Sequence, residues 1–154
     1  FTDYKDIKFR SRTVFSFHRP ETLELLLASQ DTIRNNMKHF PPLDETGFRK
    51  CQINAIQNLD NSFANNRPKA LVQMATGAGK TFTAITAAYR LLKYGKMNRI
   101  LFLVDTKSLG EQAEREFLAY TPNDDPRSFS QLYGVRWLKF SYIPSDVQIC
   151  ISTI

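Results

Sequence analysis

Two kinds of apolar spacing alternate along this 154-residue chain. Residues 69–73, 99–105 and 147–152 are short apolar runs of strand length, whereas residues 48–64, 80–94 and 108–120 repeat at helical spacing. In the helix at 80–94, Phe82, Ile85, Ala88, Tyr89 and Leu92 fall on one side. The run from Arg99 to Val104 is apolar on both faces, the pattern of a central parallel strand. Such alternation predicts an α/β fold: βαβ units with right-handed crossovers and a parallel sheet flanked by helices on both faces. Ahead of this core, residues 13–17 suit a short strand. Pro20 opens a helix over 21–28 with Leu23, Leu26 and Leu27, and residues 35–47, with Pro41-Pro42, read as a linker. The expected division is therefore a helical and linker segment at 1–47 and an α/β core at 48–154. Residues 121–146 contain Pro122, Pro126 and Pro144 and have no assignable period. Leu132, Tyr133, Val135, Trp137 and Leu138 nevertheless require a core there.

Between strand 69–73 and helix 80–94 lies Met74-Ala75-Thr76-Gly77-Ala78-Gly79-Lys80-Thr81. Strand, glycine loop, Lys-Thr and helix is the order in which backbone N–H groups and a helix N-terminus converge on an anion. Gly77 and Gly79 allow the backbone to turn tightly and approach phosphates without a Cβ in the way. In such a loop Lys80 reaches the β/γ-phosphates and the Thr81 hydroxyl holds Mg²⁺. Thr76, Gly77, Ala78 and Gly79 supply the cradle. The pattern departs from G-x-x-x-x-G-K-[ST] in one place, since Met74 stands where the first Gly is expected. The loop predicts a nucleoside triphosphate, ATP, taken with Mg²⁺.

Charge and cysteine usage add a little. The net charge of +6 fits a nucleic-acid partner without establishing one. Cys51 and Cys150 lack metal-ligand spacing and read as two reduced, buried thiols of a cytoplasmic protein. No segment is long and apolar enough to span a membrane, and no signal peptide is visible. The chain opens on Phe1 and closes within an apolar run, which predicts a piece of something longer. His18 and His39 have no partner spacing and read as structural or surface residues.

Helix 48–64 carries an oddity. Phe48, Ile56, Leu59 and Phe63 cluster on one face with Gln52 in the middle of the stripe and Arg49 near its edge. A buried Gln must be hydrogen-bonded. Either it is satisfied within the core, or its amide, which donates and accepts at once, reads a base edge. On the second reading Gln52→Ala erodes ATP/GTP discrimination with little loss of fold. Farther on, Asp105, Thr106, Lys107 and Ser108 emerge at the carboxyl end of strand 99–105, where ligands of parallel sheets bind. N–H groups at that helix start, with Lys107 and Ser108, can hold a DNA phosphate. Ordinary helix capping by Thr106 or Ser108 is the equal alternative. Ser152 and Thr153 end the last strand and carry a weaker signal.

Phe48-Arg49-x-x-Gln52-x-x-Ala55-Ile56 resembles the adenine-recognition Q motif of superfamily 2 helicases and translocases. Ala75-x-x-Gly77-x-Gly79-Lys80-Thr81 resembles their motif I, Leu103-Val104-Asp105-Thr106-Lys107-Ser108-Leu109-x-x-Gln112 their motif Ia, and Ile151-Ser152-Thr153 their motif Ib. More narrowly, Arg12-x-Val14-Phe15-x-Phe17-His18-Arg19-Pro20-Glu21-x-Leu23 resembles the segment before the motor in the R subunit of type I restriction endonucleases. The resemblance implies a P-loop NTPase: the pre-motor segment and a partial RecA-like lobe, truncated before Walker B. It gives Arg49 the adenine face, Gln52 the base edge, Lys80 the phosphates with a catalytic role, and Thr81 the metal. Asp105 to Ser108, Ser152 and Thr153 would contact DNA. It also implies double-stranded DNA as substrate, and modification and specificity subunits as partners. No Asp-Glu pair follows an apolar strand, and Asp124-Asp125 lies in a polar loop unsuited to metal. The piece alone is therefore expected not to hydrolyse ATP. The alternatives are another superfamily 2 helicase, a type III restriction subunit, or a non-hydrolysing nucleotide-binding or assembly module.

Overall fold

A computed structural model describes residues 19–67, 69–138 and 146–153. The expected strand at 13–17, and most of the pre-motor phrase starting at Arg12, lie outside these residues. In order, the elements are α1 (Pro20–Lys38), α2 (Lys50–Ala64), α3 (Lys80–Lys93), β1 (Ile100–Val104), α4 (Lys107–Ala119), α5 (Phe129–Leu132), β2 (Val135–Trp137) and β3 (Ile149–Thr153). Two compact units are present, residues 1–32 and residues 33–154.

The sequence predicts a helix only over 21–28, but α1 continues to Lys38. No proline interrupts it before Pro41, and Lys38 in the last turn complements the negative end of the helix dipole. His39 donates through Nδ1 to the Asn35 carbonyl at 2.8 Å, occupying an acceptor of the final turn. The linker is correspondingly shorter, and residues 33–47 belong to the second unit.

In that unit the sheet is parallel throughout, in the order β1-β3-β2. Ile100 pairs with Ile149 and Phe102 with Ile151, while Val135 and Trp137 flank the same two β3 residues on the other side. Period-two geometry puts all six on one face. There they meet Ile85, Tyr89 and Leu92 of α3, Ala113 and Phe117 of α4, and Phe129 of α5. The expected α/β class with a parallel sheet flanked by helices is therefore the fold observed. The central strand is β3, however, rather than β1. Among the described residues β1 is an edge, and on its second face Leu101 and Leu103 are 56% and 53% exposed. Leu132, Tyr133, Val135 and Trp137 find their expected core through α5 and β2, two elements too short to announce a period.

The strand expected at 69–73 forms no ladder. Its residues are apolar, but a strand exists only where a neighbouring backbone offers donors and acceptors, and none of the described strands lies beside it. Leu71 is 94% exposed as a result.

Two polar clusters join the unit's layers. Arg90 of α3 is buried, donating to Asp60 of α2 at 2.8 Å and to the Pro41 carbonyl at 2.6 Å. Its guanidinium lies over the rings of Phe40 and Tyr94. Burial lifts the Asp60 carboxyl above its usual range despite the Arg90 charge. Asp124 accepts from Tyr89 at 2.7 Å, from Lys93 at 2.8 Å and from Tyr94. Burial acts to raise its carboxyl too, but the hydrogen bonds from Lys93, Tyr94 and Tyr89 outweigh it and hold the group below the carboxylate norm.

Two outcomes follow from these contacts. A Cβ at Gly110 of α4 would sit 1.3 Å from Cζ3 of Trp137, so Gly110→Ala must displace the indole that ends β2. Thermal or urea unfolding should show a loss of about 1–3 kcal/mol, the usual cost of overpacking. Because the native state depresses the Asp124 carboxyl, its contribution is present above about pH 4 and drains away as pH falls. Asp124→Asn should flatten that acid-side fall in melting temperature, and an unchanged slope would contradict the assignment.

Candidate functional site

α2 begins beside the phosphate loop. Arg49 is its N-cap residue in extended conformation, and Lys50 opens the first turn. Gln52, three residues on, folds its side chain back so that Oε1 accepts the Arg49 N–H at 2.9 Å, half of a capping box. The other end of the same amide donates from Nε2 to the Ala78 carbonyl at 3.0 Å. Gln52 is only 6% exposed, and its amide is satisfied from both ends within the protein. The buried Gln of the apolar stripe thus ties the cap of α2 to the loop, bonds that Gln52→Ala would remove.

Arg49 donates from Nη1 to the Gly77 carbonyl at 2.8 Å. Lys80 donates from Nζ to the Ala75 carbonyl at 3.3 Å, and the Ala78 N–H closes a turn onto that same oxygen at 3.2 Å. The loop carbonyls of Ala75, Gly77 and Ala78 are accordingly held by the side chains of Lys80, Arg49 and Gln52. Gly77 and Gly79 have φ of 77° and 84°, the left-handed region that glycine enters without strain. Gly79 is the N-cap of α3, and its carbonyl accepts from Thr83 N–H at 2.9 Å and Thr83 Oγ1 at 3.0 Å. A Cβ on Gly77 would meet nothing within 4 Å, so its Cα borders open space. A bulky anion can approach the backbone there. Thr76 is exposed and Thr81 half-buried at the start of α3.

Lys80 and Thr81 share a cavity of about 350 Å³ with Leu103, Asp105, Leu109 and Gln112. Asp105 follows β1, and Thr106 is the N-cap of α4, its Oγ1 accepting from Leu109 N–H at 3.3 Å. Capping, one of the two readings left open for Thr106, is therefore realised. Lys107 and Ser108 occupy the exposed first turn. Register pairs Leu103 with Ser152 and Val104 with Thr153, so Ser152 and Thr153 end their strand beside the β1 terminus that leads to Asp105. Both sets of residues expected to touch DNA thus share the carboxyl edge of one parallel sheet. Ser152 Oγ donates to the neighbouring Thr153 carbonyl at 3.2 Å.

No group of three or more His, Cys, Asp or Glu is arranged to hold a metal among the described residues. Asp124, unsuited to metal on sequence grounds, is held by Tyr89, Lys93 and Tyr94 instead. Sequence reasoning did not find Asn123, whose Nδ2 donates to the carbonyls of Asp44 (3.3 Å) and Thr46 (2.8 Å) and fixes the loop ahead of Arg49. Nor did it find Arg90. The signal for Arg90 was present, because an arginine sits on the buried side of α3 between Tyr89 and Leu92. No described helix is long and apolar enough to cross a membrane.

Residues 45–154 match the family described as "Type III restriction enzyme, res subunit". Along its full length the chain is 32% identical to the type I restriction enzyme EcoKI endonuclease subunit of Escherichia coli K12, of which it spans 13%. Over 66 residues, 43% of the chain, it is 39% identical to the EcoAI endonuclease subunit of Escherichia coli, spanning 8% of that protein. Over 111 residues, 72% of the chain, it is 31% identical to the UvrABC system protein B of Leptospira biflexa, spanning 15%. No solved structure matches. The EcoKI likeness takes in the residues before 45 as well, so it reaches beyond the family match. The resemblance to a type I restriction R subunit, and the α/β core of a partial RecA-like lobe, are thereby borne out. With three parallel strands under α3 and α4, and a glycine loop opening α3, the chain belongs to the restriction-enzyme res-subunit family, on the type I side of it.

Proposed function

We propose that this chain is the ATP-binding part of the R subunit of a type I restriction endonuclease, an ATP-dependent translocase of double-stranded DNA. The observation that carries the proposal is the loop 74–81. Its glycines adopt left-handed φ, Gly77 borders open space, and Lys80 and Thr81 stand at the head of α3. Thr76 to Gly79 would cradle the phosphates through backbone N–H groups, with the Lys80 ammonium neutralising β/γ charge. The Thr81 hydroxyl is the available Mg²⁺ ligand. When bound, the metal would supply positive charge against the charge that develops in phosphoryl transfer.

On the same reading Arg49 and Gln52 form the adenine subsite, and Asp105 to Ser108 with Ser152 and Thr153 form the DNA-facing edge. The cavity shared by Thr81 and Asp105 supports a link between nucleotide and DNA edge, because both lie on its walls. Contacts there would position a strand without reading sequence. Recognition would fall to a specificity subunit, acting with a modification subunit in the cytoplasm. The division into a pre-motor segment at 1–47 and a motor lobe at 48–154 belongs to this proposal. Other superfamily 2 motors and type III subunits remain the rival reading within the class. DNA-stimulated phosphate release by the full-length protein would separate all of these from a non-hydrolysing assembly module.

Two measurements test the nucleotide site. Lys80→Ala in the full-length protein should weaken Mg·ATP binding at least ~10-fold by calorimetry, since it deletes the mobile charge aimed at the phosphates. Equal affinities would sink the assignment. Gln52→Ala should both erode ATP/GTP selectivity and lower unfolding stability by about 1–3 kcal/mol. It strands the Arg49 N–H and the Ala78 carbonyl together. A loss of stability with selectivity intact would leave Gln52 a structural tie only.

A further inference from the structure

Resting on the nucleotide reading above, we propose that Arg49 is a positioning residue of the phosphate loop, acting on the Gly77–Ala78 peptide rather than solely on a nucleobase. A trans peptide is planar, with its C=O and N–H pointing in opposite directions. Arg49 takes the Gly77 carbonyl at 2.8 Å, and the N–H of that same peptide, on Ala78, points the other way onto the Ala75 carbonyl. Gln52 does the same one peptide later: it takes the Ala78 carbonyl, which turns the Gly79 N–H away from α2. Two successive carbonyls are thus drawn toward α2 by side chains of its first turn. Carbonyl oxygens facing a polyphosphate repel it, whereas N–H groups attract it. Holding both oxygens on the α2 side keeps them from facing an anion and leaves the Gly79 N–H for it. The Ala78 N–H closes the turn onto Ala75 that shapes the loop.

Of the two ties, Arg49 is the one whose function is not already spoken for by folding. Gln52 is buried and closes a helix cap, while Arg49 is exposed and its side chain donates to the Gly77 oxygen. Gly77 is the residue that most needs such help. Its φ is 77° and nothing lies within 4 Å of where its Cβ would be, so no side-chain packing braces it on that side. A charge-assisted hydrogen bond from Arg49 supplies the restraint that packing omits.

The consequence is specific: removing Arg49 should weaken binding of a ligand that has phosphates and no base. The probe is Mg·tripolyphosphate, read by displacement of a fluorescent ADP from the full-length protein. Arg49→Ala should weaken it about tenfold, the scale of one lost charge-assisted hydrogen bond. Arg49→Lys, which keeps a charged donor, should recover most of that loss. Hydrogen exchange in the ligand-free protein gives the second readout, with the Ala78 amide as reporter. Its exchange should quicken in Arg49→Ala, because the turn bond to Ala75 loses its support.

Faster exchange together with weaker tripolyphosphate binding supports the proposal. Unchanged exchange with weaker binding would mean that Arg49 touches phosphate directly, and overturns it. Unchanged tripolyphosphate binding, whatever happens to adenosine, leaves Arg49 a base contact alone and also overturns it. Lys80→Ala serves as the control. Tripolyphosphate binding indifferent to Lys80 sinks the nucleotide reading itself, whereas sensitivity to Lys80 without sensitivity to Arg49 removes only the inference drawn here.

Discussion

Gln52 occupies the space that a side chain on residue 79 would need: a Cβ there would lie 2.3 Å from its Nε2. That close approach fixes the geometry of the whole nucleotide end. It lets α2 come near enough to α3 for one amide to cap α2 and restrain the loop that starts α3. It also makes Gly79 doubly constrained, because its φ of 84° already disfavours any residue with a Cβ. An alanine at this position would meet both penalties at once, backbone strain and collision with a buried amide that cannot swing away without leaving donors and acceptors unpaired. Loop conformation and helix docking are therefore one arrangement, not two.

The sheet shows the opposite situation, with chemistry that is not closed. β3 is paired on both edges, and its Ile149 and Ile151 are buried. β1 is paired on one edge only among the described residues, and Leu101 and Leu103 face outward on its second side. Leu71 and Val72, ahead of the phosphate loop, are exposed as well. Apolar side chains in such numbers on strand-like segments are the signature of surfaces meant to be covered. Both segments lead directly into the candidate site, one to the glycine loop and the other to Asp105.

Legibility followed the range of the interaction. The glycine loop and α3 were readable because everything that defines them lies within about four turns of helix. β1 and β3 were readable as elements, since short apolar runs suffice, but their rank in the sheet was not, since order depends on partners far along the chain. The run at 69–73 misled for the same reason: its residues suit a strand, while its ladder partner is not something local sequence can specify. α5 and β2 were missed because four and three residues cannot display a period. The end of α1 was misplaced because residues 29–38 offer only Ile33 and Met37 as apolar positions, too few to extend the stripe, though nothing in them breaks a helix. At the site, residue identities were readable and their bonds were not. Gln52 could be flagged as a buried amide that needed partners, yet that Ala78 and Arg49 are those partners is a fact of tertiary structure.

The polar clusters show why the stretch before α2 is not a passive tether. Asn123 grips the carbonyls of Asp44 and Thr46, so the loop before Arg49 is fastened to the segment that follows α4. Arg90 fastens the Pro41 carbonyl and Asp60 to α3. The Arg90–Asp60 pair is buried deeply enough that desolvation outweighs attraction at Asp60, so its retention is better explained by placement than by net stabilisation. A buried ion pair tolerates few geometries, because any shift leaves a charge unpaired in a poor solvent. That intolerance sets the rotation of α2 against α3. In turn it bears on whether Gln52 meets Ala78 and Arg49 meets Gly77, at 3.0 and 2.8 Å. The loop of small residues is thus held by Arg49 and Gln52 directly, and those two are placed by the docking of α2 on α3 that the Arg90–Asp60 pair fastens.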